Sequence, residues 1–260
     1  MLAPLVPPVA MAQETFYLGE HLDFTGNGCG EAGDLNNITS LMRDALVADG
    51  WTGNHFLESS CFARDYVETN LPGLNGLDGS FGDNRLLTVY AGHGWTSGGG
   101  LAFGRPESGR CDVNIETEMR LGHQAGDRSA FMMYMTSCTM TQGGPWPSNY
   151  DIVAYANEQK QQFGFQNSPI IQSGAGKDVF NCTSTRGNAD CWNDVTEHQF
   201  EFWFGLNTPI VASFGSTEAG ASSNQANCRL RAGTCNSTAA PATWAWHTWV
   251  TKNSGVGPCF

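Results

Sequence analysis

Two stretches of the chain decide its fold: Leu86-Leu87-Thr88-Val89-Tyr90-Ala91-Gly92-His93-Gly94 and Phe131-Met132-Met133-Tyr134-Met135-Thr136-Ser137-Cys138. Each begins with a short and nearly continuous apolar run, which is typical of a strand buried on both faces of a parallel sheet. A histidine, His93, follows the first run, and a cysteine, Cys138, follows the second. Because open α/β sheets carry their chemistry at the carboxyl ends of the strands, we expect His93 and Cys138 to lie at the same sheet edge.

Strands and helices alternate along the rest of the sequence. The pattern predicts strands over residues 16–24, 168–173 and 208–214, and helices over residues 37–49 and 150–163. Alternation of this kind is typical of an α/β protein with a mostly parallel sheet covered on both faces. We therefore predict a three-layer α/β/α sandwich.

The length of the chain limits the number of domains, and its charge and apolar runs limit the kinds of partner. The 260 residues suffice for one substantial α/β domain, and no linker interrupts them, so a single domain is predicted over residues 13–260. A nucleic-acid partner would favour basic patches, whereas this chain has a net charge of −12 and shows none. The longest apolar runs are much shorter than a membrane span, so no membrane partner is expected.

The first residues have features of a secretory signal. Residues 1–12 are rich in alanine, proline and other apolar residues, and they end in Ala10-Met11-Ala12, an A-x-A cleavage pattern. Gln13 is then the expected first residue of the mature chain. We interpret residues 1–12 as the remnant of a signal peptide, which predicts a secreted or periplasmic protein.

Nine cysteines are present, without the C-x-x-C spacing of a zinc site. Cys182 with Cys191, and Cys228 with Cys235, form close pairs in polar loops, and these are predicted disulfides that imply an oxidising compartment. Nine cysteines can form at most four disulfides, so at least one thiol stays free. Cys138 is predicted to be the only free thiol, because it alone ends a buried strand. The other four are predicted to be bridged in an order that their spacing does not fix: Cys29, Cys61, Cys111 and Cys259.

The His93 and Cys138 pair supplies the minimal parts for nucleophilic acyl transfer. A thiol attacks as its thiolate, and a nearby histidine favours that state and protonates the leaving amine. The arrangement resembles the caspase–legumain–gingipain clan of cysteine peptidases, in which a histidine followed by glycine ends one apolar strand and the cysteine ends the next. Cys138 follows His93 by 45 positions, which is similar to the roughly 50 residues of caspases.

The resemblance implies a caspase-like fold and hydrolysis of peptide bonds in a protein or peptide substrate. It also implies that the backbone amides of Gly94 and Cys138 form the oxyanion hole, where a glycine without Cβ lets its N–H come close to the oxyanion. An acidic residue lines the primary pocket of Arg- or Lys-specific members, and Asp23 is the candidate because it ends the first predicted strand. Ser173 ends the predicted strand after the cysteine strand and is a second candidate for the cleft lining.

No metal ligand set or cofactor is predicted. The acidic composition is compatible with calcium, but no loop matches a known calcium-ligand pattern. Two other functions stay open. The first alternative is a catalytically silent secreted binding module, with His93 as a turn residue and Cys138 as an inert thiol. The second is a thiol acyltransferase or transpeptidase that uses the same pair.

Overall fold

The structure is a computed structural model that describes residues 14–24, 28–29, 37–95, 100–119, 129–135, 159–165, 169–197, 207–234 and 246–251. Its strands are β1 (Thr15–Glu20), β2 (Thr52–Leu57), β3 (Leu87–Ala91), β4 (Gly94–Trp95), β5 (Gly100–Glu107), β6 (Arg110–Asn114), β7 (Phe131–Tyr134), β8 (Gln161–Phe165), β9 (Pro209–Gly215) and β10 (Trp246–Thr251). Its α-helices are α1 (Thr39–Ala48), α2 (Ala175–Cys182), α3 (Asn188–Glu197) and α4 (Glu218–Asn227). Single turns of 3₁₀-helix cover Glu58–Ser60, Ala63–Asp65 and Asp78–Ser80, and a π-helical turn covers Ile115–Met119.

Seven of these strands form one sheet in the order β10-β9-β8-β7-β3-β1-β2. The neighbours from β2 to β8 are all parallel, whereas β9 runs antiparallel to β8 and to β10. The prediction of an α/β protein with a mostly parallel sheet is confirmed. A second sheet of three antiparallel strands, in the order β4-β5-β6, follows β3 in the chain.

The two faces of the large sheet are covered differently within the described ranges. One face packs against α1, α2 and α3 through residues such as Met42, Val179 and Trp192. The other face packs against the small sheet and the 3₁₀ and π-helical turns, through residues such as Tyr66 and Phe103. Both faces are covered, as predicted, and the arrangement is compatible with a three-layer sandwich.

The predicted helix over residues 150–163 is wrong at its carboxyl end, where β8 forms instead; residues 150–158 lie outside the described part of the chain. Gln161 and Gln162 have the polarity of a solvent-facing helix, yet both are buried in the sheet. The Gln161 side chain donates to Ser213 Oγ at 3.1 Å and to the Asn224 carbonyl at 3.0 Å, and it accepts from Asn188 Nδ2 at 2.9 Å. Because these bonds satisfy the amide, a polar residue is tolerated in a central strand.

The predicted strand over residues 168–173 is also wrong, because residues 169–174 form no strand. The side chain of Asn207 takes the place of a neighbouring strand. It accepts from the Ile170 N–H at 3.0 Å and donates to the Ile170 carbonyl at 2.9 Å. Both polar groups of the Ile170 backbone are therefore satisfied without a ladder.

The disulfide prediction is partly confirmed. Cys182 is bonded to Cys191, as predicted, and Cys29 is bonded to Cys111. Cys228 is also disulfide-bonded, and Cys235 lies outside the described residues. These disulfides fit an oxidising compartment. No helix in the described segments is both long enough and apolar enough to cross a membrane.

The prediction that Cys61 is bridged is wrong. Cys61 is a free thiol, and it is fully buried beside Gly19 and Tyr66. Burial raises the pKa of this thiol well above its usual value. Since an unpaired cysteine already exists at Cys61, parity no longer singles out Cys138, and only its position after β7 supports a special role.

Candidate functional site

His93 lies between β3 and β4, at the carboxyl end of the central strand. Its backbone carbonyl accepts from the Ala102 N–H at 2.8 Å, and the Tyr90 hydroxyl lies 3.0 Å from the same oxygen. The imidazole is half-buried and meets the Phe24 ring edge to face, with 4.6 Å between the ring centroids. The small sheet therefore fixes the backbone of His93, and the loop after β1 supports its ring.

The segment that leads to Cys138 leaves the sheet beside the segment that leads to His93. β7 is the parallel neighbour of β3, with Leu87 opposite Phe131 and Tyr90 opposite Tyr134. The Met135 N–H then donates to the Tyr90 carbonyl at 2.8 Å, which extends the pairing to the strand ends. Cys138 itself lies outside the described residues, three positions beyond Met135. The prediction that both segments meet at one sheet edge is confirmed up to Met135.

Gly94 is the first residue of β4 and pairs with Leu101 of β5. It is half-buried, and it follows His93 directly. Its role as an oxyanion donor stays a prediction, since that role also requires the Cys138 amide.

Asp23 does not end the first strand, because β1 stops at Glu20. The Glu58 carboxylate accepts from the Leu22 N–H at 2.9 Å and from the Asp23 N–H at 3.3 Å, so these donors bond to a side chain and not to a neighbouring strand. The Asp23 side chain forms an ion pair with Arg105 at 3.6 Å, and both side chains are 43% exposed. Asp23 thus lies in the loop after β1, next to Phe24, whose ring packs against the His93 imidazole.

Ser173 does not end a strand either. It is exposed, in the turn immediately before α2. The reason is the Asn207 contact described above, which replaces the expected ladder. Ser173 therefore loses the strand-end argument that made it a candidate for the cleft lining.

No family model, curated protein or solved structure matches the chain.

Two polar residues at this edge were missed by the sequence reasoning. Glu20 ends β1, is fully buried, and accepts from the Ile38 N–H at 2.6 Å and from the Thr39 hydroxyl, so it caps the start of α1. Burial raises the pKa of this carboxyl. The visible signal was a glutamate directly after an otherwise apolar strand, where a charge is costly unless it is bonded.

His21 is the second missed residue. The Gly104 N–H donates to its Nδ1 at 3.3 Å, so its Nε2 carries the proton and donates to the Cys61 carbonyl at 2.8 Å. Burial lowers the pKa of this histidine, which favours the neutral imidazole. Because both ring nitrogens bind backbone groups, His21 holds the loop after β1 in place and is not an acid–base candidate.

Three carboxylates meet in the loop before β3. Glu68, Asp78 and Asp83 are all buried, and each offers an oxygen within 4.8 Å of the others. Among the described residues, this is the one group of histidine, cysteine and acidic side chains with the geometry to hold a metal ion. The sequence signal was a loop rich in glycine, asparagine and aspartate, but its spacing matched no known ligand pattern.

Proposed function

We propose that the chain is a secreted cysteine endopeptidase of caspase-like fold, in which Cys138 is the nucleophile and His93 the general acid–base. The observation that carries the proposal is the parallel pairing of β3 with β7, because it brings the segments that lead to these two residues to the same sheet edge. Active sites of open α/β sheets lie at this carboxyl edge.

The proposed reaction has two steps, acylation of Cys138 and hydrolysis of the resulting thioester. The Cys138 thiolate attacks the carbonyl carbon of the scissile peptide bond, and His93 delivers a proton to the nitrogen as the C–N bond breaks. A thioester with the acyl half of the substrate remains. Water then attacks the thioester, His93 accepts its proton, and the thiolate leaves. The amide of Gly94 supports the negative oxygen that forms in each step.

Cys61 is not a competing nucleophile. It is completely buried, and its raised pKa keeps it as a thiol. A thiol that stays protonated and inaccessible neither attacks a substrate nor reacts readily with an alkylating reagent.

Thiol mapping on the native protein tests the proposal. Brief alkylation with iodoacetamide, followed by mass spectrometry without reduction, is expected to label Cys138. Cys61 is expected to react only after the protein is unfolded, because the fold shields it. Cys61 thus provides an internal control for intact structure.

Two results would contradict the nucleophile assignment. One is a disulfide between Cys138 and another cysteine, such as Cys259, in the secreted protein. The other is alkylation of Cys138 that leaves hydrolysis of a peptide library unchanged. Incubation with an added amine separates peptidase from acyltransferase, since an acyltransferase forms the amide in preference to the free acid.

The primary-pocket role of Asp23 gives a prediction of specificity. An exposed ion pair such as that of Asp23 with Arg105 contributes only about 0.2–1 kcal/mol, so a substrate arginine can replace Arg105 at little cost. Asp23→Asn is therefore expected to lower kcat/KM for Arg or Lys substrates by up to about fivefold, which corresponds to roughly 1 kcal/mol. Fluorogenic peptides that differ only at the cleaved position measure this ratio.

The matched variant is Arg105→Gln, which removes the competing cation. It is expected to shift the preference in the opposite direction, towards basic substrates. Equal effects of Asp23→Asn on basic and neutral substrates would exclude Asp23 from the pocket without affecting the proposal for Cys138.

A further inference from the structure

We infer that Glu68, Asp78 and Asp83 form a calcium site that stabilises the loop before β3. The three side chains are between 1% and 2% exposed. A carboxylate oxygen from each lies within 4.8 Å of the other two. Two oxygens bound to one calcium ion at about 2.3–2.6 Å can be separated by up to about 5 Å, so the cluster has the size of a calcium coordination shell.

The hydrogen bonds of Asp78 indicate which atom faces the ion. Its Oδ1 accepts three bonds, from the Thr69 N–H at 2.8 Å, the Thr69 hydroxyl at 2.8 Å and the Gly79 N–H at 2.7 Å. Its Oδ2 is buried and has no hydrogen-bond partner. A buried carboxylate oxygen without a partner is costly, and a cation between the three carboxylates offsets that cost.

The charges of the cluster agree with this geometry. Three buried carboxylates whose oxygens lie within 4.8 Å of one another repel each other, and a positive ion between them offsets that repulsion. An all-oxygen ligand set favours calcium over zinc, which prefers nitrogen and sulfur ligands.

The loop around the cluster is built to hold these side chains. The Asp83 N–H donates to the Asp78 carbonyl at 2.8 Å, and the Asp78 N–H donates to the Val67 carbonyl at 3.2 Å. The Thr88 hydroxyl of β3 donates to the Gly82 carbonyl. The ion would thus hold residues 68–83 together, and the Thr88 bond attaches this segment to the amino end of β3, at the opposite end of that strand from His93. Its role is structural and is independent of the proposed peptidase activity.

Calcium titration of the chelator-treated, full-length protein tests the inference without any activity measurement. Isothermal titration calorimetry is expected to show calcium binding, and saturating calcium is expected to raise Tm by at least about 5 °C. Asp78→Asn is expected to weaken calcium binding at least tenfold, because it removes one of three charged ligands. Asp112→Asn, the same change at an exposed aspartate of β6, is the matched control and should bind calcium like the parent.

A metal site predicts that the order of stability of Asp78→Asn and the parent reverses between EDTA and calcium. In EDTA, Asp78→Asn is expected to be at least as stable as the parent, since it relieves repulsion from Glu68; in calcium, the parent is expected to be the more stable protein. Absence of calcium binding and of any Tm change in the parent protein would overturn the inference. Undiminished calcium binding by Asp78→Asn would also overturn it, by placing the ion elsewhere.

Discussion

Replacing Cys138 with alanine is expected to lower the rate of peptide hydrolysis by at least about a thousandfold, and replacing His93 with alanine is expected to do the same. In the proposed mechanism the two residues act as one unit, because the thiolate and the proton donor are needed in the same step. The double variant is therefore expected to be little worse than either single variant. Initial rates with a mixed peptide library, at matched protein concentration, measure all three losses.

Two controls separate loss of chemistry from loss of structure. Far-UV circular dichroism and Tm of the variants should match those of the parent, because His93 is half-buried and its backbone bonds are independent of its ring. Cys61→Ala removes the buried free thiol and is expected to keep the activity of the parent, although it loses some stability through a small cavity. Undiminished hydrolysis by Cys138→Ala would exclude the mechanism and favour a binding module.

The substitution Gly104→Ala is expected to reduce both stability and activity. A Cβ at Gly104 would lie 2.1 Å from the Asp23 carbonyl oxygen and 3.3 Å from the Phe24 Cα. Both are backbone atoms, so the loop after β1 must move as a unit, and overpacking of this kind costs about 1–3 kcal/mol. The movement would separate Phe24 from the His93 ring. A misplacement of about 1 Å can cost on the order of a hundredfold in rate.

Gly174→Ala is the matched control for this variant. Gly174 has φ −84°, and a Cβ added there would meet its nearest neighbour, the Asp178 carboxylate, at 3.6 Å, so alanine fits without strain. Denaturant unfolding and kcat should be close to those of the parent. If Gly104→Ala lost stability but kept kcat, the loop after β1 would not be a support for His93.

β3 and β7 were predictable because their side chains are largely apolar on both faces, and α1 was predictable from its helical spacing. Every residue of β3 and β7 is buried, so their continuous apolar runs were a direct signal. β8 gave the opposite signal, because Gln161 is buried but hydrogen-bonded to residues far away in the chain, at Ser213 and Asn224. Partners so distant in sequence are not visible in a local pattern.

The candidate site was predictable where its residues follow an apolar strand, and it was not predictable where their partners are distant in sequence. His93 follows a recognisable strand, and its position at the edge beside β7 is confirmed as far as Met135. Glu20 and His21 were missed because their roles depend on partners supplied by Ile38, Cys61 and Gly104. The Asp78 cluster was missed because its three ligands follow no established spacing, and only the folded loop makes them neighbours.

The disulfide between Cys29 and Cys111 has a practical consequence for biochemistry on this protein. It links the loop after β1, which carries Asp23 and Phe24, to β6 of the small sheet. The neighbour of β6 is β5, and Ala102 of β5 donates to the His93 carbonyl. A reductant that protects the Cys138 thiol from oxidation acts on this bond as well. The proposed peptidase activity is therefore expected to pass through a maximum as the reductant concentration rises. Too little reductant would leave Cys138 oxidised, and too much would cleave the disulfide that holds the loop of Asp23 and Phe24.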